Sequence, residues 1–333
     1  SSNHNFSKGF FYVADGTFNF YDTEKKTAYQ DCYASLNAGK TLGIGNYDSA
    51  NIIHSNGKFY LLVGTSTSNR DHFYIVDAKT LYYENSAVVG ANLSGLTILN
   101  EQYGLVTGDG IRRIDLKSLN NVRIKNERLL CFYNSIIYNG KVLSNDTYKD
   151  ESKVKYYDVN ELIAAKEGEA PAVTELDIIQ KQKINFVLAK DGNVYTLESA
   201  DNGCNIVKIK NDFTLEKVFA NFQPAKGPYH SSPTIGMVAS ETENIIYLVS
   251  TDGAIYKYIL GDSDSLKAPF IAAESGVSIT APLQLNQQSG ELYVTYTEER
   301  KDESKIVVYS KDGKVLHTVD CGESVPSQIL FNN

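Results

Sequence analysis

The sequence predicts an all-β fold. Three observations support this prediction: the composition, an internal repeat and a shortage of helix-forming segments. The 333 residues include 23 tyrosines and 14 phenylalanines but one methionine and no tryptophan, and aromatic residues favour pleated strands. A hairpin unit of two strands returns seven times, with corresponding points about 38 to 55 residues apart. That spacing is typical of propeller blades. We therefore predict a seven-bladed β-propeller of four-stranded antiparallel blades.

Each repeated unit contains a short apolar strand, a polar turn and a second strand that ends in a polar residue. The seven units begin at Phe10, Gly57, Tyr103, Gly140, Gly192, Asn244 and Gly290. Apolar segments that precede the hairpins are interpreted as inner strands: residues 50–54, 96–99, 135–138, 184–188 and 235–239. More polar segments after the hairpins, such as residues 86–89 and 216–219, are interpreted as outer strands.

The two ends of the chain complement each other in this repeat. The first hairpin has no inner strand before it, and residues 324–331 form an apolar strand with no hairpin after it. We predict that this C-terminal strand pairs with the N-terminal hairpin and removes an open sheet edge. The chain is interpreted as one domain, residues 1–333, with residues 1–8 as a flexible N-terminal segment. The single predicted helix is 159–166, with Asp158 as its N-cap, and we interpret it as an insertion in the outer connection of one blade.

The charge and the cysteines limit the classes of partner. A net charge of −8 and a pI near 5.3 argue against nucleic acid and against an anionic membrane surface. The sequence has no apolar run of about 18 residues, so no transmembrane segment is predicted.

The four cysteines lie far apart in the sequence: Cys32, Cys131, Cys204 and Cys321. Separate buried thiols are the preferred interpretation, and one or two disulfides are the alternative. A monomer is expected.

Linear motifs for catalysis or metal binding are absent from the sequence, and we predict no cofactor. The five histidines show no H-x-x-x-H spacing. The acidic tracts 145–151 and 298–303 also carry lysine or arginine and lack the D-x-D-x-D-G pattern of calcium loops, which indicates solvated hairpin loops. Gly108-Asp109-Gly110 and Thr251-Asp252-Gly253 are interpreted as tight turns. A metal held by several blades together stays open as an alternative.

The repeat also predicts a binding face. In a propeller, the loops from outer to inner strands and the loops between the two middle strands lie at one end. The side chains that this rule places there are the candidate ligand-binding residues: Tyr47, Asp48, Arg70, His72, Tyr133, Asn134, Tyr148, Lys183, Tyr229, His230 and Arg300. Two prolines and a glycine stiffen residues 226–233 around Tyr229 and His230. The alternative is that Tyr229 packs between blades and His230 caps a strand.

Several long segments resemble one family. The opening FYVADGTFNFYDTEKKTAYQD, the following NAGKTLGIGNYDSANIIHSNGKFYLLV and the closing QSGELYVTYTEERKDESKIVVYSKDGKVLHTVDCGESVPSQILF are similar to the YncE-like surface propellers of gut Bacteroidota. The resemblance implies export to the cell surface or periplasm with a lipid anchor. It also implies capture of a small-molecule nutrient, a cobalamin-like compound, an iron chelate or a glycan, for a partner outer-membrane transporter.

Three classes of function are therefore carried forward. The first is a binding protein that captures a small molecule. The second is a scaffold for protein–protein interaction, because propellers often present a flat face to other proteins. The third is a lactonase-like or quinoprotein-like propeller enzyme, which would need acidic, amide and arginine side chains to converge on one point.

Overall fold

A computed structural model describes residues 5–42, 44, 49–64, 70–93, 95–128, 132, 134–145, 151–181, 184–224 and 236–332. Nearly all the regular structure in these residues is β-strand, organised into seven antiparallel sheets. The fold is a seven-bladed β-propeller, which confirms the fold class predicted from the repeat.

The first four blades follow one another along the chain, and the predicted inner strands lie at their starts. Blade one contains β1 (Gly9–Ala14), β2 (Thr17–Asp22) and β3 (Thr27–Tyr29). Blade two contains β4 (Ser49–Ser55), β5 (Lys58–Gly64), β6 (Asp71–Asp77) and β7 (Tyr83–Gly90). Blade three contains β8 (Gly95–Ile98), β9 (Tyr103–Asp115) and β10 (Asn121–Arg128). Blade four contains β11 (Ile136–Tyr138), β12 (Lys141–Ser144), β13 (Ser152–Asp158) and β14 (Thr174–Gln180).

The remaining strands form blades five to seven and the closing strand. Blade five contains β15 (Val187–Leu188), β16 (Val194–Ala200), β17 (Gly203–Ile209) and β18 (Leu215–Phe222). Blade six contains β19 (Met237–Ala239), β20 (Ile245–Val249) and β21 (Ile255–Ile259), with its outer edge reduced to a bridge between Ile255 and Ile271. Blade seven contains β22 (Val277–Ile279), β23 (Gln284–Leu285), β24 (Leu292–Glu298), β25 (Glu303–Tyr309) and β26 (Val315–Gly322). The last strand is β27 (Pro326–Leu330).

Strand β27 lies beside β1 in the sheet of blade one, in the order β27-β1-β2-β3. This confirms the predicted closure by the C-terminal strand. Ile329 is 1% exposed, and Leu330 packs into the same apolar cluster as Phe11 and Phe20. Burial of these side chains stabilises the pairing beyond its backbone hydrogen bonds.

The long strand β9 forms both middle positions of blade three. Its first half pairs with β8, with Gly104 opposite Ile98. Its second half pairs with β10, with Arg112 opposite Arg123. The chain doubles back within β9, because the Leu116 N–H donates to the Gln102 carbonyl oxygen at 2.8 Å; midway between them Gly108 and Gly110 have positive φ angles of 140° and 85°. Glycine adopts such angles without steric cost, so the turn predicted at this site is present.

Helices are few among the described residues, as predicted. Helix α2 (Val159–Ala164) lies in the outer connection of blade four, and Asp158 caps it by accepting a hydrogen bond from the Glu161 N–H at 2.9 Å. Helix α1 (Cys32–Leu36) was not predicted, because five residues are too few for a helical periodicity. Two 3-10 helices span Phe6–Lys8 and Ser263–Leu266. Phe6, inside the segment predicted to be flexible, is buried 5.0 Å from the Phe20 ring.

The chain divides into two compact units, each with its own apolar clusters. Unit 1 comprises residues 1–148, 155–174 and 329–333, and unit 2 comprises residues 149–154 and 175–328. Phe11, Phe20 and Phe59 are fully buried in the largest cluster of unit 1. None of the described helices has the length and apolar character needed to cross a membrane.

Candidate functional site

A cleft of about 500 Å³ in unit 2 combines aromatic and polar side chains. It lies between the end of β18 in blade five and the turn that joins β20 to β21 in blade six. We call it the ring cleft, and it is lined by Phe219, Asn221, Phe222, Gln223, Ser250, Thr251, Asp252, Tyr256 and Leu266. The connection after an outer strand and the turn between two middle strands meet here, so the ring cleft lies on the kind of loop face that the repeat predicts.

Two aromatic rings form the apolar side of the ring cleft. The rings of Phe222 and Tyr256 lie 5.9 Å apart at an interplanar angle of 89°, an edge-to-face arrangement. Phe222 is buried and belongs to the core cluster of blades five and six, against which Tyr256 and Phe219 pack with partial exposure. The core therefore holds the rings in place while parts of Tyr256 and Phe219 face solvent.

Hydrogen bonds fix the polar side of the ring cleft. The Thr251 N–H donates to the Gln223 carbonyl oxygen at 2.9 Å, and the Thr251 hydroxyl donates to the Pro224 carbonyl oxygen at 3.1 Å. The Gln223 side-chain amide donates to the Asn202 carbonyl oxygen at 2.9 Å. The two Thr251 contacts join the end of blade five to the turn of blade six, and the Gln223 side-chain contact holds the end of blade five in place, so a ligand would meet a preorganised surface.

Asp252 carries a negative charge at the rim of the ring cleft. Its carboxylate accepts a hydrogen bond from the Ser250 hydroxyl and another, at 3.1 Å, from the Ala254 N–H. These bonds favour the ionised form and lower the pKa of Asp252 below its ordinary value. The lining residues contain no lysine or arginine, so the described part of this cleft disfavours an anionic ligand.

A second cleft, of about 520 Å³, lies on the other side of the same turn and shares Ser250, Thr251 and Asp252 with the ring cleft. Glu274 and Glu299 also line it. Glu299 accepts a hydrogen bond from the Ser278 hydroxyl at 2.8 Å, and Glu274 lies 4.0 Å from the Lys305 ammonium. Acidic side chains therefore flank the turn on this side.

The residues that line the two clefts include aromatic rings, amides, hydroxyl groups and carboxylates. Ser250 donates to Asp252, but no histidine lines either cleft to act as its base. Across the residues that the structure describes, no group of three or more histidine, cysteine or acidic side chains could hold a metal ion. Aromatic rings with adjacent amide and carboxylate groups are suited to holding a ring-shaped ligand.

Four of the candidate residues predicted from the sequence lie in the described part. Arg70 is exposed just before β6, and Arg300 is exposed in the turn after β24. His72 is half-buried in β6, with its ring 6.1 Å from the Tyr74 ring. The Asn134 amide nitrogen is shielded from solvent and has no hydrogen-bond partner among the described residues. None of the four is among the residues that line the ring cleft or the second cleft.

The other candidate residues lie outside the described residues: Tyr47, Asp48, Tyr133, Tyr148, Lys183, Tyr229 and His230. Phe132, which precedes the candidate Tyr133 in the sequence, is fully buried with its ring 5.8 Å from the Tyr157 ring. It is a core residue of unit 1 and not a binding residue. Of the four cysteines, Cys32 and Cys321 are free thiols, Cys204 is buried, and Cys131 lies outside the described residues.

Sequence reasoning missed the residues of the ring cleft. Residues 216–219 were interpreted only as a polar outer strand, and Thr251-Asp252-Gly253 only as a turn. The available signal was the pair of phenylalanines in Val218-Phe219-Ala220-Asn221-Phe222. Two aromatic rings are unusual on an outer strand that faces solvent. Tyr256 gave no such signal, because a tyrosine in a middle strand is ordinary.

Structural comparisons agree with a propeller and show the fold alone. A functionally unknown protein from Desulfotomaculum acetoxidans DSM 771 is similar over 98% of this chain and 99% of its own, with a TM-score of 0.61 and 13% identity. The dihydro-heme d1 dehydrogenase NirN is similar over 99% of this chain and 76% of its own, with a TM-score of 0.54 and 11% identity. A prolyl endopeptidase matches 81% of this chain with a TM-score of 0.56 and 11% identity, and this chain spans only 42% of its length.

The fold is that of a seven-bladed propeller, and the described part of unit 2 contains a cleft with aromatic and hydrogen-bonding side chains. The chain belongs to the DUF5074 family, a domain of unknown function, whose family model matches residues 6–332. A search of curated protein sequences found no match.

Proposed function

We propose that this protein binds a small molecule in the ring cleft without transforming it. The observation that carries the proposal is the combination of two partly exposed rings, Phe219 and Tyr256, with the exposed amide of Asn221. Hydrogen bonds hold the surface on which these groups lie. The Asn221 side chain is exposed and makes no hydrogen bond to any other described residue. An amide in that position can donate to and accept from a ligand while the rings contact its apolar face.

The charge of the cleft selects the ligand class. Asp252 is held ionised, and no cationic side chain lines the described cleft, so an anionic ligand would meet repulsion and gain no ion pair. A neutral or cationic ring compound with hydroxyl groups matches both the aromatic and the polar contacts. Among the ligands considered above, a glycan is therefore preferred to a cobalamin-like compound or an anionic iron chelate.

The biological setting is part of the same proposal. The resemblance to YncE-like surface propellers supports export to the cell surface or periplasm, with a lipid anchor, and delivery of the ligand to an outer-membrane transporter. A preorganised cleft serves capture well, because little entropy is lost when the ligand binds. Release to a partner would then require the partner to compete for the same ring contacts.

Calorimetric titration of the purified chain tests the proposal. The probes are neutral oligosaccharides, cyanocobalamin and a ferric siderophore, each titrated into wild-type protein and into Tyr256→Ala. We expect saturable binding of an oligosaccharide that Tyr256→Ala weakens. Saturable binding that Tyr256→Ala leaves unchanged would place the site elsewhere, and no binding by any probe together with stable capture of a protein partner would favour the scaffold.

A further inference from the structure

Two arginines lie directly opposite each other on neighbouring strands of blade three, in unit 1. Arg112 of β9 is paired in register with Arg123 of β10. Directly opposed residues have Cβ atoms roughly 5 Å apart, and like charges in such pairs destabilise a sheet. The chain has a net charge of −8, so this close pair of cations is not explained by a general excess of basic residues. We therefore expect an anionic group that offsets the repulsion between the two arginines.

The protein itself compensates this pair only in part. The Arg123 guanidinium donates from Nη2 to Asp109 at 3.0 Å, which is the one carboxylate paired with either arginine in the described part of the chain. Arg112 donates from Nη1 to the neutral amide oxygen of Asn121 at 3.1 Å. Two guanidinium groups therefore face one carboxylate, and a positive charge remains uncompensated.

Hydrogen-bonding capacity is also left unused. The Nε atoms of Arg112 and Arg123 are shielded from solvent and have no acceptor among the described residues. Unsatisfied buried donors of this kind are uncommon in proteins and ask for an explanation. The terminal nitrogens that do not bond Asp109 or Asn121 are likewise without an acceptor in the described chain.

Glycines stand next to both guanidinium groups. A Cβ atom added at Gly90 would lie 3.1 Å from Arg112 Nε, and one added at Gly110 would lie 3.3 Å from Arg123 Nε. The absence of side chains at these two positions leaves room for the arginine heads. The Arg123 side chain is 30% exposed and that of Asp109 is 29% exposed, so an ion from solvent can reach the pair.

We propose that Arg112 and Arg123 form a binding site for a tetrahedral oxyanion, as inorganic phosphate or as the phosphate group of an ester. Paired guanidinium groups offer planar, divergent N–H donors that match the oxygens of such a group. The anion offsets the repulsion between the two arginines. Asp109 occupies part of the same positive field and competes with the ligand. This site is separate from the ring cleft, and its existence does not depend on the proposed function.

Titration with inorganic phosphate at constant ionic strength, against sodium chloride, tests the site by calorimetry and by thermal unfolding. We expect saturable binding that Arg112→Gln or Arg123→Gln weakens by about tenfold or more. Asp109→Asn should strengthen binding severalfold, which a merely structural arginine pair would not produce. Lys314→Gln, which removes an exposed cationic side chain of blade seven, is the control and should bind as wild type. Glycerol 3-phosphate in place of phosphate shows whether an ester is preferred to the free ion.

Three outcomes would overturn the site. The first is a wild-type response to phosphate no greater than the response to chloride. The second is an equal loss of phosphate binding in Lys314→Gln and Arg123→Gln. The third is weaker phosphate binding in Asp109→Asn. Because a glutamine variant can lower stability by itself, Arg112→Lys is the second test: it keeps the charge and should retain part of the binding.

Discussion

Arg113 of blade three donates a hydrogen bond from Nη1 to the carbonyl oxygen of Ala165, at 2.6 Å, just past the end of helix α2. The same nitrogen lies 2.9 Å from the Leu162 carbonyl oxygen. Carbonyl groups at a helix C-terminus have no partner within the helix, and a cation there is favourable. The inserted helix of blade four is thus held by a side chain of the neighbouring blade, in unit 1.

Removal of this cation should loosen the insertion. Arg113→Ala leaves both carbonyl groups without the donor, and we expect a loss of about 2 kcal/mol in unfolding free energy. The Gly168 and Ala170 N–H groups, which donate to β10 at 3.0 Å and 2.9 Å, should exchange faster with solvent deuterium. Arg113→Lys is the control, since it keeps a charged donor. Unchanged exchange in the alanine variant would show that the insertion is held without Arg113.

Substitutions in the ring cleft should separate binding from stability. Tyr256→Ala and Asn221→Ala each remove one contact type, and we expect about tenfold weaker ligand binding for each, near 1.4 kcal/mol. Because both side chains are partly or fully exposed, the melting temperature should change little. Tyr82→Ala, which removes a tyrosine 52% exposed elsewhere on the chain, is the control. Equal loss of affinity in the control would argue against the cleft.

Strand β27 should be required for stability. Deletion of residues 324–333 removes the partner of β1 and the buried side chains of Ile329 and Leu330, so the melting temperature should fall sharply. Leu330→Ala is the milder variant and should cost about 2 to 5 kcal/mol, as for other buried leucines. Thermal unfolding followed by circular dichroism measures both. A truncated chain that melts like wild type would contradict the closure.

His54 should make stability depend on pH. Burial in β4 against the Phe59 ring, 5.3 Å away, lowers the pKa of His54 in the folded protein. The neutral form is therefore favoured by folding. The contribution of neutral His54 to the free energy of unfolding is fully present above the pKa of an unfolded histidine, about 6.5. This contribution is lost as the pH falls through the pKa of His54 in the folded protein. Denaturant titrations between pH 8 and pH 5 should show a decline that His54→Gln reduces, and identical profiles would rule out this role.

The described thiols should be unreactive in the native state. Burial raises the pKa of Cys32 to about 11 and that of Cys321 to about 12, so almost no thiolate exists near neutral pH. We expect slow alkylation of Cys32 and Cys321 by iodoacetamide, with rapid alkylation in denaturant. Peptide mass spectrometry resolves each site. Rapid native labelling of Cys32 or Cys321 would contradict the burial argument.

Much of the fold was predictable because it depends on local pattern. The β4 and β8 inner strands, the Gly108-Asp109-Gly110 turn and the Asp158 cap of α2 each follow from a few adjacent residues. The pairing of β27 with β1 joins distant residues, yet it was predictable because one end of the repeat lacked a strand and the other end had an extra strand. Helix α1 was not predictable, since tertiary packing of Cys32 and Tyr33 stabilises those five residues.

The sequence by itself determined the class of fold, the number of blades and the acidic charge that disfavours polyanionic partners. Only the tertiary structure decided which side chains meet. Phe222 and Tyr256 come from different blades and form one cleft because β18 packs beside the turn after β20. Arg112 and Arg123 form a pair because the reversal within β9 and the bulged pairing with β10 fix their register. A blade repeat encodes strands and turns through local residue preferences, whereas contacts between strands and blades depend on register and packing, which no short stretch of sequence specifies.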